Sequence, residues 1–121
     1  LGALYGLFDL KAGSDGFNTG FAFPEILACL LKAKNNNNWE FANRIYQHFL
    51  PLIVFEQQPG VGIRKEVLRI RGAIKNSTVR HPGSLISQSA KSQLDDLISS
   101  TLPGINISDP LSENSIKKII Y

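Results

Sequence analysis

A single cysteine, Cys29, is the only thiol in this sequence, so neither an intrachain disulfide nor a cysteine-built metal site can form. Its neighbours Leu27, Ala28, Leu30 and Leu31 are apolar, which predicts a buried, inert thiol rather than a nucleophile. Methionine is absent altogether and the chain opens at Leu1, the pattern expected of a fragment or a processed chain. No apolar run approaches the roughly 20 residues that span a bilayer. No basic stretch precedes an apolar core at the start, so a secretory signal is not expected and a cytoplasmic location is. Charge of either sign is scarce: 19% of residues are charged and the net is only +3, which by itself points to neither nucleic acid nor membrane as a partner. What is present is an ordinary globular complement of 43% apolar residues in 121, enough for one domain with a real core and too few for two. No internal repeat is visible.

Leu4, Leu7 and Phe8, with Lys11 at the edge, fall at helical spacing, and the turn-forming run Gly13-Ser14-Asp15-Gly16 ends that short helix. Phe17 to Phe23 then alternates. Phe17, Thr19, Phe21 and Phe23 share one face, and Asn18, Gly20 and Ala22 share the other. Bulky residues on one side and small uncharged ones on the other predict a strand between outer helices and a crowded interior, as in an α/β barrel. Pro24 opens a helix at its favoured first position with Glu25 beside the positive end of the helix dipole, and the Asn35–Asn38 tract stops it.

From Asn38 onward the pattern is helical. Asn38 caps a helix striped by Ala42, Ile45, Phe49, Leu52 and Phe55, with a kink expected at Pro51. Gln57-Gln58-Pro59-Gly60 breaks it. Ile63, Val67, Leu68 and Ile70 stripe the next helix, closed by Gly72, and Ile86, Ala90, Leu94, Leu97 and Ile98 the one after. Residues 103–121 carry Pro103-Gly104 and Asp109-Pro110, then a short helix near Ile116–Ile120. One strand cannot make a sheet, because its backbone groups need neighbours. The strand is therefore expected to pair with material outside this chain.

Leu7-Phe8-Asp9-Leu10, Gly13-Ser14-Asp15-Gly16 and Thr19-Gly20-Phe21-Ala22-Phe23-Pro24-Glu25, in that order, resemble the last strand and flanking helices of the dihydrodipicolinate synthase and N-acetylneuraminate lyase family. Leu50-Pro51-Leu52, Glu56-Gln57-Gln58-Pro59-Gly60, Ile63-Arg64-Lys65-Glu66 and Val79-Arg80-His81-Pro82 resemble its helical extension, and the likeness runs over about residues 2–100. The fold this implies is α/β: the C-terminal part of a (β/α)8 barrel in residues 1–34, a C-terminal helical extension in 35–102, and a tail of unclear structure in 103–121, mostly helical in this chain. The resemblance implies a Schiff-base lyase, an aldolase or dehydratase acting on pyruvate or a related 2-oxo acid. It implies no metal or organic cofactor, and assembly as a homotetramer through the C-terminal helices. The family's Schiff-base lysine and proton-relay tyrosine map upstream of any residue here. Gly2, Asn18 and Gly20 are left as the wall of the substrate pocket. The family often has an apolar residue where Asn18 stands, which leaves the substrate open. A non-catalytic helical oligomerisation or interaction module is the alternative.

Other candidates are weighed against plainer readings. Lys65 and Lys11 are the Schiff-base candidates within the chain, but Lys65 lies among Arg64, Glu66 and Arg69 on an amphipathic helix, where solvation keeps an amine protonated. Residues 64–75 hold five basic side chains against Glu66, with no interleaved aromatics for stacking bases, so nucleic acid is not the expected partner. His48 and His81 have no second ligand at metal spacing. Asp95 and Asp96 are adjacent on a helix and diverge. Asn76-Ser77-Thr78 and Asn106-Ile107-Ser108 fit the glycosylation sequon, a pattern that arises often by chance. Gly16 and Gly20 lack the lysine of a phosphate loop.

Overall fold

The computed structural model describes residues 3–57, 60–80 and 86–121. Among the described residues six helices follow one another: α1 (Gly6–Lys11), α2 (Pro24–Asn35), α3 (Trp39–Phe55), α4 (Val61–Ile70), α5 (Gln88–Thr101) and α6 (Glu113–Ile120). Among the described residues there is no strand.

The start and stop signals act as the sequence predicts. Pro24 sits in the first turn of α2, and the Asn38 side chain accepts from the Phe41 amide at 3.2 Å to cap α3. Ser87 and Ser112 cap α5 and α6 in the same way, through the amides of Ala90 and Ser115. At the end of α2, Asn37 adopts a left-handed backbone (φ 55°), and the amides of Asn37 and Asn38 turn back to the carbonyls of Lys34 and Ala33. Gly72 (φ 81°) ends α4 by the same pattern, with Gly72 and Ala73 donating to Arg69 and Leu68.

Helix α3 is the centre of the molecule, touching α1, α2, α5 and α6. Its Phe41, Ala42, Ile45, Tyr46, Phe49, Leu52 and Ile53 are buried, and Pro51 stays inside the helix, which continues to Phe55. Each fully buried side chain of this size contributes about 1.5–3 kcal/mol. One connected core runs from Ala3 to Ile116. The first helix turns differently from the sequence reading: Leu7 and Leu10 are buried while Phe8 is 60% exposed, resting edge-on against Tyr46.

The Phe17–Phe23 stretch is a correction. It is neither strand nor helix. The predicted alternation holds through Gly20, with Phe17 and Thr19 half-buried and Asn18 and Gly20 exposed, and then Phe21, Ala22 and Phe23 are buried together. The physical reason is the shortage of partners. Helices pair their own backbone groups, so helical neighbours offer packing for the phenylalanines but no ladder. Side chains replace the ladder instead: Thr19 Oγ1 accepts from the Phe21 amide at 3.2 Å, Lys34 donates to the Ser14 carbonyl, and Arg71 donates to the Ala22 carbonyl.

In the tail, whose structure the sequence left unclear beyond a short helix near Ile116–Ile120, that helix is α6. Ile107, Leu111 and Ile116 are buried, and α6 lies on α2 and α3, with Lys32 and Glu113 paired at 2.6 Å. Phe49→Ala should cost about 3–5 kcal/mol in denaturant unfolding, because it empties the middle of α3. Phe8→Ala should cost less than about 1 kcal/mol although the residue type is the same.

Candidate functional site

Of the three residues assigned to a pocket wall, Gly2 lies outside the described residues, and Asn18 is exposed on the irregular stretch. Gly20 is held by a neighbour that the sequence did not suggest. A Cβ on Gly20 would stand 3.2 Å from Arg64 Cδ and 3.3 Å from Arg64 Nη1, so the Arg64 side chain lies directly against this backbone. Arg64 Nε is 3.8 Å from Oε2 of Glu56, the residue that caps the end of α3. Glu56 is completely buried, and among the described residues its carboxylate and Arg64 Nε find no side-chain hydrogen-bond partner, with the Ala22 amide nearby. Burial pushes the Glu56 carboxyl up to about 7, against the pull of the Arg64 charge and the nearby Ala22 amide.

On the other side of the same stretch, Arg71 closes a clip. Its Nε donates to the Ile107 carbonyl at 2.8 Å and Nη1 to the Ala22 carbonyl at 2.8 Å and to Glu25 Oε1 at 3.0 Å. Nη2 donates to Glu25 Oε2 and, at 3.4 Å, to the Asp109 carbonyl. All five guanidinium N–H groups are thereby engaged, a geometry that lysine cannot reproduce. The cation also lies 4.7 Å from the centre of the Phe23 ring. Glu25 Oε2 in addition accepts from the Leu111 amide at 2.9 Å. Burial works to raise the Glu25 carboxyl, but the hydrogen bonds from Arg71, Leu111 and its own amide outweigh it and hold the group below its ordinary value. An open cavity of about 300 Å³ lies beside the clip, lined by Glu25, Leu68, Arg71, Ala73, Ser108 and Pro110. Its two charged groups are already committed to each other.

The remaining candidates disperse. Lys65 donates to the Thr78 carbonyl at 2.7 Å on the surface, and exposed Lys11 stands 6.0 Å from the Trp39 ring centre, so neither is enclosed in a pocket. His48 Nε2 donates to the Thr101 carbonyl at 2.7 Å, while His81 lies outside the described residues. Asp95 and Asp96 are both exposed on α5. Cys29 is buried, and that burial raises its thiol above the ordinary value. Among the described residues, no helix is long and apolar enough to cross a membrane.

The sequence reading missed Glu56, Arg64 and Arg71. For Glu56 a signal existed: the steps Ala42, Ile45, Phe49, Leu52 continue to position 56 as well as to 55, which puts a carboxylate in line with an apolar stripe. The structure makes Phe55 half-buried and Glu56 fully buried. No comparable signal marks Arg71, whose partners lie 36 to 49 residues away along the chain. Arg71→Met should cost about 3 kcal/mol, since it strands the Glu25 carboxylate and three carbonyls. Because Glu25 sits below its ordinary 4.5, the stability it adds is complete above that pH and is lost as pH falls through the lowered folded value. Hydrogen exchange at the Leu111 amide should therefore accelerate on acidification, and Glu25→Gln should remove that acid dependence.

No family model matches the chain. It is 38% identical over 77 residues to an L-2-keto-3-deoxyarabonate dehydratase of Azospirillum brasilense, a match covering 63% of this chain and 25% of the relative. It superposes on the crystal structure of dihydrodipicolinate synthase from Rhodopseudomonas palustris with a TM-score of 0.77 and 33% identity, covering 80% of this chain and 33% of that one. The chain thus spans a quarter to a third of the length of the proteins it matches.

Proposed function

We propose that this chain, similar over the part that matches to members of the dihydrodipicolinate synthase and N-acetylneuraminate lyase family, supplies the C-terminal part of a Schiff-base-forming lyase acting on pyruvate or a related 2-oxo acid. The single observation that carries this reading is the joint match in sequence and in fold to a dehydratase and a synthase of one family. The matched relatives are dehydratase- and synthase-type enzymes, and the helical architecture agrees with the solved one. The Phe17–Phe23 stretch lends it no support, having no ladder among the described residues.

In this proposal residues 1–34 are the last β/α part of the barrel, residues 35–102 its helical extension and residues 103–121 a tail that braces it. Gly2, Asn18 and Gly20 line one side of the 2-oxo acid pocket through backbone and shape. The lysine that attacks the keto carbon comes from barrel strands outside this chain. Attack, with loss of water, gives an iminium that draws electrons from the adjacent carbon, so a carbon–carbon or carbon–oxygen bond is made or broken with neither metal nor organic cofactor. Assembly is as a homotetramer through the C-terminal helices, in the cytoplasm. Lys11 and Lys65 have no part in the chemistry, in keeping with the exposed setting of Lys11 and the bond of half-buried Lys65 to the Thr78 carbonyl.

A helical interaction module without catalysis is the second reading. The observation in its favour is the continuous core that joins Ala3 to Ile116 within this one chain. Borohydride reduction in the presence of pyruvate separates the two. The 121-residue chain should show no adduct by mass spectrometry, and a protein extended upstream through the barrel strands should show one, on a lysine before Leu1. An adduct on Lys11 or Lys65 would overturn the site assignment, and its absence from the extended protein would favour the interaction module.

A further inference from the structure

Arg71 grips the chain where the residues assigned to the pocket wall pass into α2. Its Nη1 donates at 2.8 Å to the carbonyl of Ala22, two residues after Gly20, and at 3.0 Å to Glu25 in the first turn of the helix. One nitrogen thus spans the step from Ala22 to Glu25, and the guanidinium lies 4.7 Å from the centre of the Phe23 ring between them. The far side of the fork is held as well. Nε donates to the Ile107 carbonyl, Nη2 reaches the Asp109 carbonyl, and Glu25 Oε2 also accepts from the Leu111 amide. All of these partners belong to this chain. An exposed pair of flexible side chains would fix little. Here only 11% of the Arg71 side chain and 20% of that of Glu25 are exposed, and the planar fork sets direction as well as distance.

We propose that Arg71 is a positioning residue of the 2-oxo acid pocket, which sets the backbone at Asn18 and Gly20 through its hold on Ala22 and Glu25. It touches neither the substrate nor the reacting lysine. The inference rests on the lyase reading above, in which Asn18 and Gly20 line the pocket through backbone and shape. A wall made of backbone cannot adjust by changing rotamer, so its fit depends on what fixes the chain beside it. Misplacement by about 1 Å, caused by a change remote from the chemistry, is enough to cost about a hundredfold. Lysine at this position would keep the charge but present one ammonium, which cannot serve Ala22, Glu25 and Ile107 from fixed directions. The tail takes part by the same route. Ile107, Asp109 and Leu111 hold the outer side of the clip, so they orient the arginine that orients the wall.

The test uses the protein extended upstream through the barrel strands, with borohydride trapping measured over a series of pyruvate concentrations. Arg71→Lys should raise the pyruvate concentration that half-saturates trapping about tenfold or more, and change the saturated rate less than about twofold. The lysine that attacks lies on another element, so pyruvate that does bind still reacts. Loss of folded protein would do the reverse, lowering the saturated rate and leaving half-saturation where it was. Arg69→Ala, which breaks the neighbouring pair with Glu66, should leave half-saturation unchanged. The proposal is overturned if Arg71→Lys keeps the half-saturation of the unaltered protein, or if Arg69→Ala shifts it equally. Should Arg71→Lys fail to fold, Glu25→Gln decides, since it keeps the shape of the clip and removes its negative charge. A rise in half-saturation of severalfold in that variant supports the positioning role, and no change refutes it. If the unaltered extended protein traps no pyruvate, the lyase reading fails and this inference with it. If it traps pyruvate and the clip variants match it, the positioning role alone is refuted.

Discussion

The Arg71 guanidinium makes the rest of the arrangement possible. A stretch that buries Phe21, Ala22 and Phe23 without a sheet must still pair its carbonyls, and helices have no backbone groups to spare. Arg71 pairs Ala22 and, with the same fork, the Ile107 and Asp109 carbonyls and the Glu25 carboxylate. One side chain at the end of α4 therefore joins the irregular stretch, the first turn of α2 and the tail. Its placement depends on Gly72, whose left-handed turn ends α4 immediately after it.

The two charge pairs flanking the stretch have opposite character. Glu25 and Arg71 satisfy each other and their surroundings, so burial adds order without leaving a polar group exposed to a low-dielectric interior. Glu56 and Arg64 stand 3.8 Å apart without a hydrogen bond between them, and desolvation of the carboxyl outweighs their attraction. The first pair anchors one end of the stretch.

Kinship with a dehydratase and a synthase rests on matches that reach over much of this chain but only a quarter to a third of those proteins. The described residues accordingly place a helical scaffold and two charge clusters. Lys65 and Lys11 belong to neither cluster: Lys65 donates to the Thr78 carbonyl and Lys11 stands 6.0 Å from the Trp39 ring centre.

Helix positions were legible in the sequence because their causes are local. Pro24, Asn38 and Gly72 act on backbone within a turn of themselves, and apolar residues three and four apart define a face without knowledge of what covers it. The alternation from Phe17 to Gly20 is equally local, a pattern of facing set by neighbouring residues. Whether such a stretch becomes a strand was not local, since a ladder needs a second backbone and the described residues supply only helices. The choice between Phe55 and Glu56 for the buried position, the five bonds of Arg71 and the contact of Arg64 with Gly20 were likewise decided by tertiary structure. Each depends on groups far apart in the chain, and only folding sets the distance and the dielectric between them.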